Sequence, residues 1–178
     1  HLSERLVKEG HQVTIIDGNA QHLRPHELVQ FIIDNKIDLV GMGFMTRMAQ
    51  SAYRMADAIR QATKVPIIMG GPHVTALPDE PLGLTGRPQY ADAVVVGEAD
   101  EIWPSILRDA ANGTLQRVYR PEVVDGKEVK PSLDHYPAIP WEQVDLTRFN
   151  LMRFVPEGVK KFLRHIGFTY DNFYAIPM

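Results

Sequence analysis

The sequence predicts an α/β fold with a doubly wound parallel sheet, and two observations predict it. Segments with strand-like and helix-like patterning alternate regularly over the first 113 residues, and the strand-like runs are apolar throughout instead of at every second position. A strand buried on both faces reads as a continuous Val/Ile/Leu run, which marks a parallel sheet covered by helices on both sides. The length of 178 residues allows one such domain of flavodoxin or Rossmann type and a modest appendage.

The elements follow in order. Leu2 and Leu6 repeat at helical spacing through Glu9, and Gly10 is a helix stop. Val13-Thr14-Ile15-Ile16 is a β-branched run ending at Asp17-Gly18 and reads as a strand. Pro25 opens a helix whose Leu28, Phe31 and Ile32 share one face. Asp38 to Gly43 reads as a second strand, and a helix follows with Ala49, Ala52, Ala56 and Ile59 on its inner stripe. Val65 to Met69 is the third strand, running into Gly70-Gly71-Pro72-His73, and Val94 to Val96 is the fourth, ending at Gly97-Glu98. Asp100 is placed to cap the next helix, in which Ile102, Trp103, Ile106 and Leu107 face inward and Pro104 sits in the first turn. The chain opens on a helix, whereas in such folds a central strand normally precedes it. A first strand is therefore expected to be missing, its slot filled by the C-terminal tail or by a homodimer that replaces the strand.

After Gly113 the pattern changes. Val118-Tyr119-Arg120 and Lys127-Glu128-Val129 flank Asp125-Gly126, a strong short hairpin signal. Leu133 to Trp141, with Pro137 and Pro140, reads as an extended linker, and residues 142–178 carry aromatic side chains without a clean period. The expected organisation is an α/β domain over 1–113, a β-hairpin over 114–132, and a linker with its tail over 133–178.

Composition excludes several classes. With no cysteine, these residues supply no disulfide, thiolate metal site or iron–sulfur ligand. The seven histidines are scattered instead of paired at metal-ligand spacing, so neither a metal site nor a catalytic group is assigned. A formal charge of −3 gives no reason to expect nucleic acid or an anionic membrane as partner, and no apolar run is long enough to span a bilayer. The expected location is cytoplasmic. Hard chemistry must come from a cofactor or another domain.

In open α/β sheets ligands bind beyond the carboxyl ends of the strands. All four expected strand ends carry glycine: Gly18, then Gly41 and Gly43, then Gly70 and Gly71, then Gly97. Each is an ordinary tight turn on the simplest reading; together along one rim they suggest a shared crevice of bare backbone. The loop Gly41 to Thr46 leads into a helix, where Thr46 is either an N-cap or a ligand contact. His73 is read as a ligand hydrogen-bonding group or a surface residue. Glu98 is a general base, a ligand contact, or simply negative charge near a helix N-terminus.

Ile67-Ile68-Met69-Gly70-Gly71-Pro72-His73 followed by Val94-Val95-Val96-Gly97-Glu98 resembles the paired signature of cobalamin-binding domains in radical S-adenosylmethionine enzymes. His1 to Asp17 resembles that family's first helix and its Gly-His-x-Val strand. Asp38-Leu39-Val40-Gly41, the Asp125-Gly126-Lys127 hairpin and the segment from Leu133-Asp134 through Pro137, Pro140 and Trp141 to Asp145-Leu146 and Phe149 are similar too. The tone is closest to the anaerobic magnesium-protoporphyrin IX monomethyl ester oxidative cyclase type, with methyltransferases using domains of the same kind. The resemblance implies a Rossmann-like cobalamin-binding fold in which Asp17, Gly41, Gly43, Phe44, Met45, Thr46, Gly70, Gly71, Pro72, His73, Val74, Gly97, Glu98 and Ala99 contact cobalamin. It implies that the partner is a radical S-adenosylmethionine domain with a [4Fe–4S] cluster, held by three cysteines expected beyond Met178, so that this chain alone is inactive. The Asp-x-His-x-x-Gly motif that provides an axial histidine elsewhere does not occur. A flavin or nucleotide binder, or a non-catalytic interaction module, are the rival readings. On the cobalamin reading, Gly71→Leu is expected to weaken binding while leaving the domain folded.

Overall fold

The computed structural model describes residues 2–18, 23–124, 127–128 and 156–166. Four parallel strands form one sheet in the order β1 (Val40–Gly43), β2 (Ile67–Gly70), β3 (Ala93–Val95), β4 (Val118–Tyr119). The connections carry helices α3 (Ala49–Ala62) between β1 and β2, a short α4 (Pro72–Ala76) after β2, and α5 (Trp103–Ala111) between β3 and β4. Helices α1 (Leu2–Lys8) and α2 (Pro25–Asp34) precede the sheet. In register, Gly43 stands opposite Gly70, and Met69 opposite Val94. Because all strands run the same way, their carboxyl ends share one rim.

Side chains alternate between the two faces of a strand, so each strand feeds two cores. Ile67, Met69 and Val94 point to one face, where they pack with Ile32 of α2 and with Ala49, Ala52, Tyr53, Ala56 and Ile59 of α3. Ile68, Ala93 and Val95 point to the other face, against Ile102, Ile106 and Tyr119, with Trp103 at the margin. The alanines of α3 let its backbone lie close to the sheet, and Ala56 and Ile59 are wholly buried. Each fully buried Ile or Val contributes about 1.5–3 kcal/mol relative to exposure. The doubly wound sheet expected from the apolar strands is the fold observed.

Local signals explain the boundaries. Gly10 takes φ +92° after α1, which closes with His11 N–H donating to the Leu6 carbonyl at 3.0 Å. Pro25 and Pro104 both sit in first turns. Glu27 accepts from the Arg24 backbone N–H at 2.8 Å, and that bond holds its carboxyl below the usual range. On the far side, Arg60 of α3 reaches Asp92 at 2.9 Å while Asp92 accepts from the Ile67 N–H, tying α3 to the start of β2.

Three expectations are corrected. Val13–Ile16 forms no strand: Val13 and Ile15 are 36% and 51% exposed, because β-branched residues make a strand only where a neighbouring ladder accepts them. Among the described residues nothing pairs with the outer edge of β1. Val118–Tyr119 is not a hairpin arm but the fourth strand, pairing in parallel with Val94 and Val95. The hairpin forms instead between β5 (Val123–Val124) and β6 (Lys127–Glu128). Asp100 does not cap α5, whose N-cap is Ile102; its carbonyl accepts from Arg5 of α1 at 3.3 Å, and Arg5 also pairs with Glu101 at 2.8 Å. In the tail, Glu157–His165 forms helix α6, with Val159, Phe162 and Ile166 exposed along one side. The remaining linker and tail residues, and the Asp125-Gly126 turn itself, lie outside the described residues.

Candidate cofactor site

The rim is built by three adjacent loops, each leaving a strand at glycine. After β1 the chain passes through Phe44 and Met45 into a 3-10 turn, Thr46–Met48, that feeds α3. After β2 it turns at Gly71, φ +89°, directly into α4 with Pro72 in the first turn. After β3 it turns at Gly97, φ +87°, and passes Glu98 and Ala99 before α5.

The glycines are not equivalent. A Cβ at Gly43 would meet nothing within 4 Å, so the backbone there faces open space. A Cβ at Gly41, two residues earlier on the same face, would lie 2.8 Å from the Trp103 ring. Gly41 thus lets the indole seat on β1, and the open stretch over Gly43 begins where the indole ends. A Cβ at Gly71 would come within 2.9 Å of the Phe44 nitrogen and 3.0 Å of its oxygen. Both the positive φ and that close approach demand glycine. Gly71→Leu therefore cannot leave the fold intact as expected; it drives a side chain into neighbouring backbone. Gly18 lies in open space after a segment that forms no strand, so it is not a strand end, and Asp17 beside it is half-buried.

Under the rim lies a buried polar cluster. His73 is 3% exposed, and both ring nitrogens are engaged: Nε2 with the Tyr53 hydroxyl at 3.0 Å, Nδ1 with the Thr46 hydroxyl at 3.2 Å. Glu80 Oε2 stands 3.7 Å from Nε2 and pairs through Oε1 with Arg87 at 2.9 Å. Tyr53 stacks on Tyr90 at 4.3 Å and meets Phe44 edge-on. Burial, and then the Glu80 carboxylate, push the Tyr53 phenol up to about 12. A cavity of about 660 Å³ opens beside this cluster, lined by Thr46, Tyr53, His73, Glu80, Arg87 and Tyr90 among others.

The structure thus divides the expected site residues. Gly43, Met45, Thr46, Pro72 and Glu98 are exposed and Gly70, Gly71, Gly97 and Ala99 half-buried along the rim. Phe44, His73 and Val74 are 5%, 3% and 0% exposed and lie beneath the loops, with His73 also reaching the wall of the cavity. Thr46 caps no helix, its hydroxyl being bonded to His73. Sequence reasoning missed Tyr53, Glu80, Arg87 and Tyr90. Tyr53 had a signal: it lies four residues after Ala49 on the inner stripe of α3, and a buried tyrosine hydroxyl needs a partner. Among the described residues no group of three or more His, Asp or Glu side chains gathers to hold a metal. No described helix is long and apolar enough to cross a membrane.

Comparison with known proteins decides the family, since the B12 binding domain matches residues 2–107, more than half of the chain. The chain belongs to the B12-binding domain family. Relatives include the bacteriochlorophyllide d C-8(2)-methyltransferase of Chlorobaculum tepidum, 32% identical over 126 residues, covering 71% of this chain and 24% of that protein. An uncharacterized methyltransferase of Pyrococcus horikoshii is 34% identical over 110 residues, covering 61% of this chain and 23% of that protein. The B12-binding chain spans about a quarter of the length of these curated relatives. No solved structure matches.

On the rim of this B12-binding domain, uncovered backbone at Gly43 leaves room for a cofactor. The open backbone at Gly43 is a cradle that any side chain would fill, and it lies in register beside Gly70. The next strand end turns away at Gly97 without a bulky residue. Trp103 bounds the opening on the β1 side.

Proposed function

We propose that this chain binds cobalamin across the carboxyl ends of β1, β2 and β3, as the cofactor domain of a cobalamin-dependent radical S-adenosylmethionine enzyme. The family match over residues 2–107 carries the reading, with the open backbone at Gly43 in support. Gly43, Met45 and Thr46, then Gly70, Gly71 and Pro72, then Gly97, Glu98 and Ala99 form the contact surface. Cobalamin provides a carbon–cobalt centre for group transfer or radical chemistry; the chain's own residues bind, orient and exclude water from it.

With no cysteine in the chain, a [4Fe–4S] cluster and S-adenosylmethionine belong to a partner domain. Both curated relatives are named methyltransferases, and one acts by name on a bacteriochlorophyllide. Those names favour methyl transfer to a tetrapyrrole as the parent reaction over the oxidative ring closure suggested by the sequence resemblance.

Titration with hydroxocobalamin, followed by visible spectra, tests the cofactor directly, with flavin mononucleotide as the rival. A saturable spectral change with hydroxocobalamin and none with the flavin is expected. Saturable binding of flavin alone would replace the proposal with a nucleotide-binding reading.

A further inference from the structure

The residues that make the crevice do not hold themselves in place. Phe44 N–H donates to the Gly70 carbonyl at 3.3 Å, and His73 N–H donates to the Phe44 carbonyl at 3.3 Å, so the first two rim loops are tied through backbone. The His73 ring completes the tie by bonding Thr46 of the first loop while anchored to Tyr53 of α3. The third loop joins through Thr75, whose hydroxyl accepts from the Gly97 N–H at 3.1 Å. Every buried side-chain polar atom among the described residues has a partner, so this lacing is complete.

A buried histidine with one nitrogen unpaired is costly, which makes each bond to His73 depend on the other. Removing the Tyr53 hydroxyl leaves Nε2 facing Glu80 at 3.7 Å, beyond hydrogen-bond distance. The ring is then free to turn, and the hydroxyl of Thr46 loses its fixed acceptor or donor. The ring of residue 53 itself remains clamped by the stack on Tyr90 and the edge contact with Phe44.

From this arrangement we infer that Tyr53, acting through His73, is a positioning residue that sets the rim loops 43–46 and 70–74 at the spacing the cofactor requires. Neither Tyr53 nor His73 touches the ligand. Only the ligand-binding part of the inference rests on the cobalamin reading; the fixing of the loops stands on the apo geometry alone.

The test uses the full chain as wild type, Tyr53→Phe, Thr46→Val and the double variant, with two readouts. Amide hydrogen exchange without any ligand is read at Phe44 and His73 and, as core references, at Val94 and Ile106. Tyr53→Phe is expected to speed exchange at Phe44 and His73 about tenfold, the reach of one buried hydrogen bond, with the references changed less than about twofold. Uniform acceleration that includes the references, or none at Phe44 and His73, overturns the inference. The second readout is the hydroxocobalamin dissociation constant, expected to rise about fivefold to tenfold in Tyr53→Phe, whose substituted hydroxyl lies off the contact surface. In the ligand-free exchange readout the double variant should lose little more protection at Phe44 and His73 than either single one, because both act through His73. Fully additive losses contradict a shared route. Should the wild type bind no cobalamin while the exchange pattern holds, the cofactor reading fails and the positioning of the loops survives.

Discussion

The ends of β1 and β2 lie side by side in one register, Gly43 opposite Gly70, yet they meet opposite demands. At the end of β1 the backbone at Gly43 is bare toward open space, and none of the described residues uses that room. At the end of β2 the chain turns at Gly71 with φ +89°, so close to Phe44 that no Cβ fits. The fold itself requires glycine at the turn after β2, whereas no described neighbour requires it at the end of β1. The contrast lets substitutions separate the proposed binding role from folding on a single rim.

Substitutions break or sharpen that contrast. Gly71→Leu has the largest expected effect: a destabilisation of about 3 kcal/mol or more, from the left-handed φ and from overlap with Phe44 backbone. Chemical denaturation measures it, and wild-type stability in this variant would show that the turn is not held as described. Gly43→Leu should behave in reverse. Stability should stay within about 0.5 kcal/mol, since a Cβ there meets no described atom within 4 Å, while the hydroxocobalamin dissociation constant rises about tenfold or more. Unaltered affinity would remove Gly43 from the binding surface. Gly41→Ala falls between: its methyl meets the far end of the Trp103 ring at 2.8 Å, and a side-chain end can shift where backbone cannot. A loss of about 1–2 kcal/mol is expected, together with an altered near-ultraviolet tryptophan signal.

A last effect concerns pH. Burial and Glu80 raise the Tyr53 phenol from its ordinary value near 10 to about 12, so the folded state holds that proton where the unfolded chain releases it. The contribution is fully present below pH 10 and is lost as pH climbs toward 12. Tyr119, also raised chiefly by burial, adds in the same direction. Denaturation at a series of alkaline pH values should show stability falling over that window, and Tyr53→Phe should flatten but not abolish the slope. A slope unchanged by the substitution would mean the phenol is not sequestered.

Much of the scaffold was legible in the sequence because it depends on local pattern. The apolar runs at Asp38 to Gly43, Val65 to Met69 and Val94 to Val96 became β1, β2 and β3, and the alanine stripe of the third helix became the face that α3 lays on the sheet. What failed depends on partners distant in sequence. Val13–Ile16 has strand composition but no ladder to join, whereas Val118–Tyr119 has a ladder in β3 that no local signal announces. The Asp125-Gly126 turn drew Val118–Tyr119 into the wrong pairing, since turn chemistry fixes that a hairpin forms but not how far its arms extend. At the site, glycine marked the rim correctly but could not reveal which positions face outward. His73 and Thr46, each read as a surface residue, a cap or a ligand contact, find each other instead, because burial is decided by α3 and by the segment carrying Glu80 and Tyr90.

The central claim is that cobalamin lies along the glycine rim, and hydrogen exchange with and without hydroxocobalamin tests it most directly. Ligand-induced protection should concentrate at residues 43–46, 70–72 and 97–99, with α2 and β4 unaffected. Protection confined to the cavity beside Tyr90 and Arg87, or absent from the rim at saturating ligand, would contradict it.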